Sequence, residues 1–455
     1  MLDGDALYAE VVDNKDPLFF ATYAGALWVG GWRAPSLLDG LWFALAAFAF
    51  AGLLRELRAP RATVVVGFAV CPLALAGSWY FTGLSMLGGL ALVPVSTWLW
   101  LRGRFASAGA AAALVLLFKL NLALLVLALL VVLLVFDRPD VSRLRQAGRA
   151  AIGAVMACGV AALVLAAAGS LRAYLDTIAY NVHYANVRVD SHSPVTRVRA
   201  HLAVAKQYFT AEAWQAPVTV LVLVAFTAVA VLALRSGERT LRLLVLLAAA
   251  ALGAAVVSVA LTAYYSHHLQ LLALPAALIA ASFVTAAAKW TGGYAMTAVA
   301  VGCCGVALWS AGRDDWPPTV SQWTAEPVSV GARELERVRM RLYPAREEIP
   351  YVVFGTNDEN GHAAFIDSSF DLSCRWFHLY DVSPREQFDE TIDCFDRERP
   401  LLVLVTPGLS AHAGANAWNS FVDGVRERLG ERYALVNGAE PPGFEVWRRV
   451  ESEGR

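Results

Sequence analysis

Every second connection between the apolar stretches of this chain carries arginine or lysine. About 20 apolar residues cross a bilayer as a helix, and fewer serve within a bundle. Ten stretches qualify as candidate spans: 36–54, 62–79, 83–101, 107–119, 122–136, 150–169, 216–234, 243–263, 269–287 and 293–311. Arg55, Arg58 and Arg61 follow the first, and Arg102 and Arg104 the third. Arg138, Arg143, Arg145 and Arg149 follow the fifth, Arg235, Arg239 and Arg242 the seventh, and Lys289 the ninth. The alternate connections are short and aromatic, as in Ser78-Trp79-Tyr80-Phe81, or long and mixed, as over 170–215. Cationic loops stay on the cytoplasmic side, so this period-two pattern predicts an up-and-down helical bundle in one orientation.

That orientation places residues 1–35 and everything after the tenth span outside. Segment 17–31 cannot then cross, and the pattern predicts a helix in the outer interface with Trp28 and Trp32 at headgroup level. No signal peptide precedes it, because no basic stretch leads into an apolar core. The expectation is that the native protein begins earlier, with one more span. The alternative is that 17–31 spans and the basic rule fails once. Three regions follow: an outer loop and interfacial helix over 1–35, a transmembrane domain over 36–311, and an extracytoplasmic α/β domain over 312–455.

Composition sharpens the division. Of 455 residues 16% are charged, against about a quarter in soluble domains, and the deficit falls before Arg313. A net charge of -1 argues against a nucleic-acid partner, which would need a basic face. No Cys-x-x-Cys or Cys/His set has zinc spacing, and Cys71, Cys158, Cys303 and Cys304 read as small core residues.

In the tail, apolar strands at Tyr351–Phe354, Leu401–Val405, Tyr433–Val436 and Phe444–Trp447 alternate with amphipathic helices at 331–343, 384–395 and 415–429. That alternation predicts a partly parallel sheet. The turn Gly355-Thr356-Asn357-Asp358 lacks a phosphate-binding glycine fingerprint. Cys374 and Cys394 are either a disulfide pair in an oxidising compartment or two buried thiols.

The polar residues at the ends of the spans carry what chemistry the chain offers. Asp13-Asn14-Lys15-Asp16-Pro17 sets three charges ahead of the first helix. A carboxylate here can take a proton from an acceptor hydroxyl and a lysine can neutralise a phosphate, or the cluster is a hydrated loop opened into a helix by Pro17. His267 and His268, after Tyr264 and Tyr265, are either donors to a lipid phosphate or part of an interfacial belt. Lys119, with Asn121, divides two spans; it snorkels to the interface or points inward toward an anion. Loop 170–215 mixes Tyr180, His183, Tyr184, Arg188, Arg197 and Arg199, which suits sugar stacking and phosphate pairing as well as it suits a solvated connector.

The stretch Gly4-Asp5-Ala6-Leu7-Tyr8-Ala9-Glu10-Val11-Val12-Asp13-Asn14-Lys15-Asp16-Pro17-Leu18 resembles the first extracytoplasmic loop of the GT-C class of membrane glycosyltransferases. The nearest branch is that of the protein mannosyltransferases and the lipid A aminoarabinose transferase. Ser36-Leu37-Leu38-Asp39, the basic loop Arg55–Arg61, Lys119 and Tyr264-Tyr265-Ser266-His267-His268-Leu269-Gln270-Leu271 continue the likeness over nearly the whole chain. It departs at Asp16, where the family has proline, and it lacks the acidic residue that the family places upstream of this stretch. The resemblance implies a GT-C-like polytopic helical fold and inverting transfer of a sugar from a polyprenyl-phosphate carrier to a hydroxyl acceptor at the outer membrane face. Lys15 is then the phosphate contact, with His267, His268, Tyr265 and Lys119 as further substrate contacts. The catalytic base is expected before Met1, and Asp13 serves as a secondary acidic group. The acceptor is a glycan, lipid or protein. The chemistry leaves room for a divalent metal and calls for no other cofactor. A transporter or flippase of lipid-linked or small polar substrates, or a non-catalytic membrane scaffold, are the alternatives.

Overall fold

A computed structural model of the chain describes residues 16–76, 85–137, 142–179, 215–261, 270–290, 330–346, 349–354, 370–374, 379, 383, 385–406, 409–410, 416–436 and 445–450. The chain divides into two compact units. One comprises Lys15–Val164 with Val189–Thr324, and the other Met1–Asn14, Leu165–Arg188 and Ala325–Arg455. The tenth candidate span, over 293–311, lies outside the described residues.

The first unit is helical. Its elements are α1 (Pro17–Gly30), α2 (Ala34–Glu56), α3 (Arg61–Ala76), α4 (Leu87–Leu101), α5 (Phe105–Phe118), α6 (Ala123–Phe136), α7 (Arg143–Ala167), α8 (Gln215–Ser236), α9 (Arg239–Leu261) and α10 (Ala273–Trp290). Four described segments are long and apolar enough to cross a membrane: Ala34–Glu56, Arg143–Ala167, Arg239–Ser258 and Gln270–Trp290. The other predicted spans among the described residues are shorter apolar helices. At 1.5 Å per residue the 14 residues of α5 reach only about 21 Å, short of a bilayer core.

Local chemistry sets the helix ends. Pro17 supplies a pre-formed φ at the first position of α1, and Gly31 (φ +62°) closes its end with an N–H to the Leu27 carbonyl. Trp28 is 78% exposed. Tyr23, by contrast, is buried, because α1 also packs against α2 and α5. Helices α4 and α5 run antiparallel: Trp100 meets Phe105 edge-on at 5.1 Å, and the Ser96 hydroxyl donates to the Ala108 carbonyl at 2.8 Å. Small residues let α5 and α7 touch backbone to backbone. A Cβ on Gly109 would lie 1.8 Å from the Ala150 oxygen, and one on Gly153 would lie 1.8 Å from the Ala106 oxygen.

The basic connections gather at one end of this unit. Glu56 at the end of α2 meets Arg102 after α4 at 3.5 Å. The Thr240 hydroxyl of α9 donates to the Leu57 carbonyl at 2.7 Å. Arg239 pairs with Asp137, after α6, at 2.8 Å, and Lys289 at the end of α10 pairs with Glu238. Five chain ends and connections far apart in sequence are thereby linked.

The second unit is a three-layer α/β/α sandwich. Strands β1 (Ile349–Phe354), β2 (Phe370–Leu372), β3 (Leu402–Val405), β4 (Tyr433–Leu435) and β5 (Glu445–Arg449) form one sheet in the order β2-β1-β3-β5-β4. β1 is parallel to β2 and β3, whereas β5 is antiparallel to β3 and β4. Alternation sends Val352, Phe354, Val403 and Val405 toward α12 (Arg385–Glu398) and α13 (Asn416–Arg432), where they meet Phe388, Trp418 and Phe421. Tyr351, Val353, Leu402 and Leu404 face Leu335 and Val338 of α11 (Val330–Leu342). Strand β2 escapes the sequence pattern because its three residues are too few to show a period. Cys374, just past β2, is bridged to Cys394 of α12 with an S–S distance of 2.11 Å. Arg428 grips Asp396 through Nε and Nη2, and Arg432 adds a contact at 2.5 Å. These bonds hold the Asp396 carboxyl below its ordinary range.

Candidate functional site

The end of the helical unit opposite the basic network collects buried polar groups. Asp16 is extended (φ -82°, ψ 156°) ahead of α1, only 6% exposed, and its carboxylate accepts the Leu120 N–H at 3.1 Å. Leu120 follows the break between α5 and α6. There Lys119 leaves the helix in an extended conformation (φ -164°, ψ 113°), and a short 3-10 turn, Leu120–Leu122, leads into α6. One hydrogen bond therefore joins the entry of α1 to the α5–α6 turn across more than a hundred residues.

A second carboxylate holds the middle of α1. Asp39 of α2 has no exposed surface, and the Tyr23 hydroxyl donates to its Oδ1. Phe19 rests on Tyr23 with ring centroids 4.7 Å apart. One turn beyond Asp39, Trp42 meets Phe118 edge-on at 5.2 Å. Two glycines of α4 make room for this turn. A Cβ on Gly88 would lie 2.6 Å from the Phe118 ring, and one on Gly89 would lie 2.4 Å from a Leu122 methyl. The contacts close a circuit through α1, α2 and the α5–α6 turn.

Some buried polar atoms at this end find no hydrogen-bond partner among the described residues. They are Asn121 Oδ1, Trp42 Nε1 and, at the entry of α10, Gln270 Oε1. The Gln270 amide donates to the Leu75 carbonyl at 3.4 Å. An unmet buried polar group costs about 1–3 kcal/mol, and the basic end carries such atoms too, at Trp100 Nε1 and Arg242 Nε.

Of the predicted site residues, Lys119 is placed here, half-buried. Asp13, Lys15, Tyr265, His267 and His268 lie outside the described residues, as does the part of loop 170–215 after residue 179. Two neighbours of those positions are described, however. Asp16 follows Lys15 in the chain and Gln270 follows the histidine segment. Asp16 reads in sequence as added negative charge beside Lys15. In the structure its carboxylate is engaged by a backbone donor at the α5–α6 turn.

Asp39 and Tyr23 are absent from the sequence-based site. A lone carboxylate five residues into an apolar helix is itself a signal, because charge in such a helix is costly without a partner. Among the described residues no group of three His, Cys, Asp or Glu side chains could hold a metal ion, so no step is assigned to one. Neither the protein-family models nor the curated proteins contain a match to this chain.

Proposed function

We propose that this chain is a membrane glycosyltransferase of GT-C type. It takes a sugar from a polyprenyl-phosphate carrier and passes it, with inversion, to a hydroxyl acceptor at the outer membrane face. The observation that carries the reading is the Asp16–Leu120 hydrogen bond. Lys15 and Lys119 each immediately precede one partner of that bond, so the two chain segments with candidate phosphate contacts are held together. In this reading the ammonium groups neutralise the departing phosphate. Asp13 is an acidic positioning group there, and Asp39 fixes α1 through Tyr23.

Two further features support it. Asp16, Asp39 and Lys119 lie at the bundle end opposite the cationic connections, which by the positive-inside bias is the outer end. The Cys374–Cys394 bridge suits an oxidising compartment, as expected if the α/β unit is extracytoplasmic. The test uses the full chain reconstituted in vesicles with radiolabelled polyprenyl-phosphate sugar and a mixture of glycan, lipid and protein acceptors. Label appearing on an acceptor supports the reading. Labelled lipid moved between leaflets with its sugar intact, or no change at all, overturns it.

A further inference from the structure

A cleft of about 800 Å³ opens on the α/β unit where the end of α12, the end of α13 and strand β5 converge. Its walls carry Arg399, Arg432 and Arg449, with Tyr433 and Phe395 behind them and Glu431 at the edge. Arg432 is balanced by Asp396 and Glu431 beside it, so Arg399 and Arg449 supply the cavity's excess positive charge. Arg432 is engaged with Asp396 at 2.5 Å. Neither Arg399 nor Arg449 has a carboxylate within ion-pair distance among the described residues. Burial pushes the Tyr433 hydroxyl up to about 12, while the charges of Arg449, Arg432 and Arg399 pull it back. All three cations therefore act on one spot.

Arg399 is also held in a conformation that its side chain does not favour. Its φ is +46°, in the left-handed region that glycine or asparagine occupies at helix ends. Its N–H donates to the Phe395 carbonyl at 3.1 Å, and its carbonyl accepts from Arg449 Nη1 at 2.5 Å. The fold thus locks one cleft arginine in place with another. Strain at a non-glycine residue points toward use of its side chain.

We propose that this cleft binds a phosphate group, carried by a phosphorylated glycan or by a lipid headgroup, at a site separate from the helical unit and independent of whether that unit transfers sugar. Guanidinium groups from three elements can offer paired N–H donors to several oxygens of one tetrahedral anion. A carboxylate has two oxygens, which Asp396 already divides between Arg428 and Arg432; a phosphate has more to offer a third guanidinium.

The test is calorimetric titration of inorganic phosphate into the full chain in neutral detergent, with three variants. Arg399→Gly removes a guanidinium and relieves the left-handed backbone, so affinity should fall about tenfold while thermal stability holds or rises. Arg449→Gln should weaken binding to a similar degree, and Glu431→Gln should tighten it. Competition by glucose 1-phosphate and by short-chain phosphatidylglycerol separates the two sources, and displacement by either supports a phosphate site. Absence of saturable phosphate binding overturns the proposal. So does binding that survives both arginine variants.

Discussion

At the basic end of the helical unit Glu56 and Arg102 meet with side chains 39% and 42% exposed, whereas at the other end Asp39 is wholly enclosed by helices. Burial alone does not separate the ends, because Asp137 at the basic end is buried too. What the bonds join differs. Glu56, Asp137 and Glu238 each have a cation within ion-pair distance. The partners described for Asp16 and Asp39 are a backbone N–H and a tyrosine hydroxyl. An exposed cation pair such as Glu56 with Arg102 can be exchanged or lost at little cost. Carboxylates enclosed by helices are costly to bury, and these two tie α1 to the α5–α6 turn and to α2. The contrast teaches that charge at the basic end is generic and charge at the other end is positional.

The largest effect should come from Lys15→Ala. If the positional end holds a lipid phosphate, losing the ammonium should slow sugar transfer about a hundredfold, the usual scale for one electrostatic group at a departing charge. Transfer from radiolabelled carrier, compared with a charge-removing variant at Lys289 in the basic network, measures it. Equal losses at the two ends would erase the comparison.

Next is Asp39→Leu, which leaves the Tyr23 hydroxyl buried without its acceptor. It should cost about 3 kcal/mol, read as thermal unfolding in detergent. Asp39→Asn keeps an acceptor and should recover most of that loss. Should Leu and Asn behave alike, the carboxylate would have no positional role. Asp16→Ala removes the acceptor for the Leu120 N–H and should cost about 1.5–2 kcal/mol. It should also free the α5–α6 turn, raising hydrogen exchange at Leu120 before the rest of the bundle responds.

The basic end was legible in sequence because its signal is a repeat: Arg55, Arg102, Arg239 and Lys289 recur at every second connection, and contacts at 3.5 Å and 2.8 Å join these connections. The alternating tail was legible for a similar reason, since strands β1 and β3 show continuous apolar runs between amphipathic helices. The positional end was legible only in its parts. Lys119 and Asp16 each stand out, but nothing local says that residue 16 meets residue 120, because that pairing depends on how α1 packs on α2 and α5. Asp39 closes the Ser36–Asp39 stretch without a visible role, for its partner Tyr23 looks in sequence like one more interfacial aromatic. The arginine cleft left still less trace, since Arg399, Arg432 and Arg449 come from separate elements and each alone resembles a surface residue.

The smallest effect is expected from Glu56→Gln, and it is the one that most directly isolates the difference between the ends. The substitution keeps the side-chain length and removes only the charge facing Arg102. That guanidinium also lies 5.4 Å from the Trp98 ring, a contact the variant leaves in place. With both side chains well exposed, the pair should be worth less than about 0.5 kcal/mol, and raising the salt should shrink even that. Asp16→Ala should show less salt dependence, because the Asp16 side chain is only 6% exposed. A Glu56→Gln loss as large as that of Asp16→Ala, and as insensitive to salt, would mean that the basic end is positional too. Orientation and site geometry would then have to be treated as one property of this bundle.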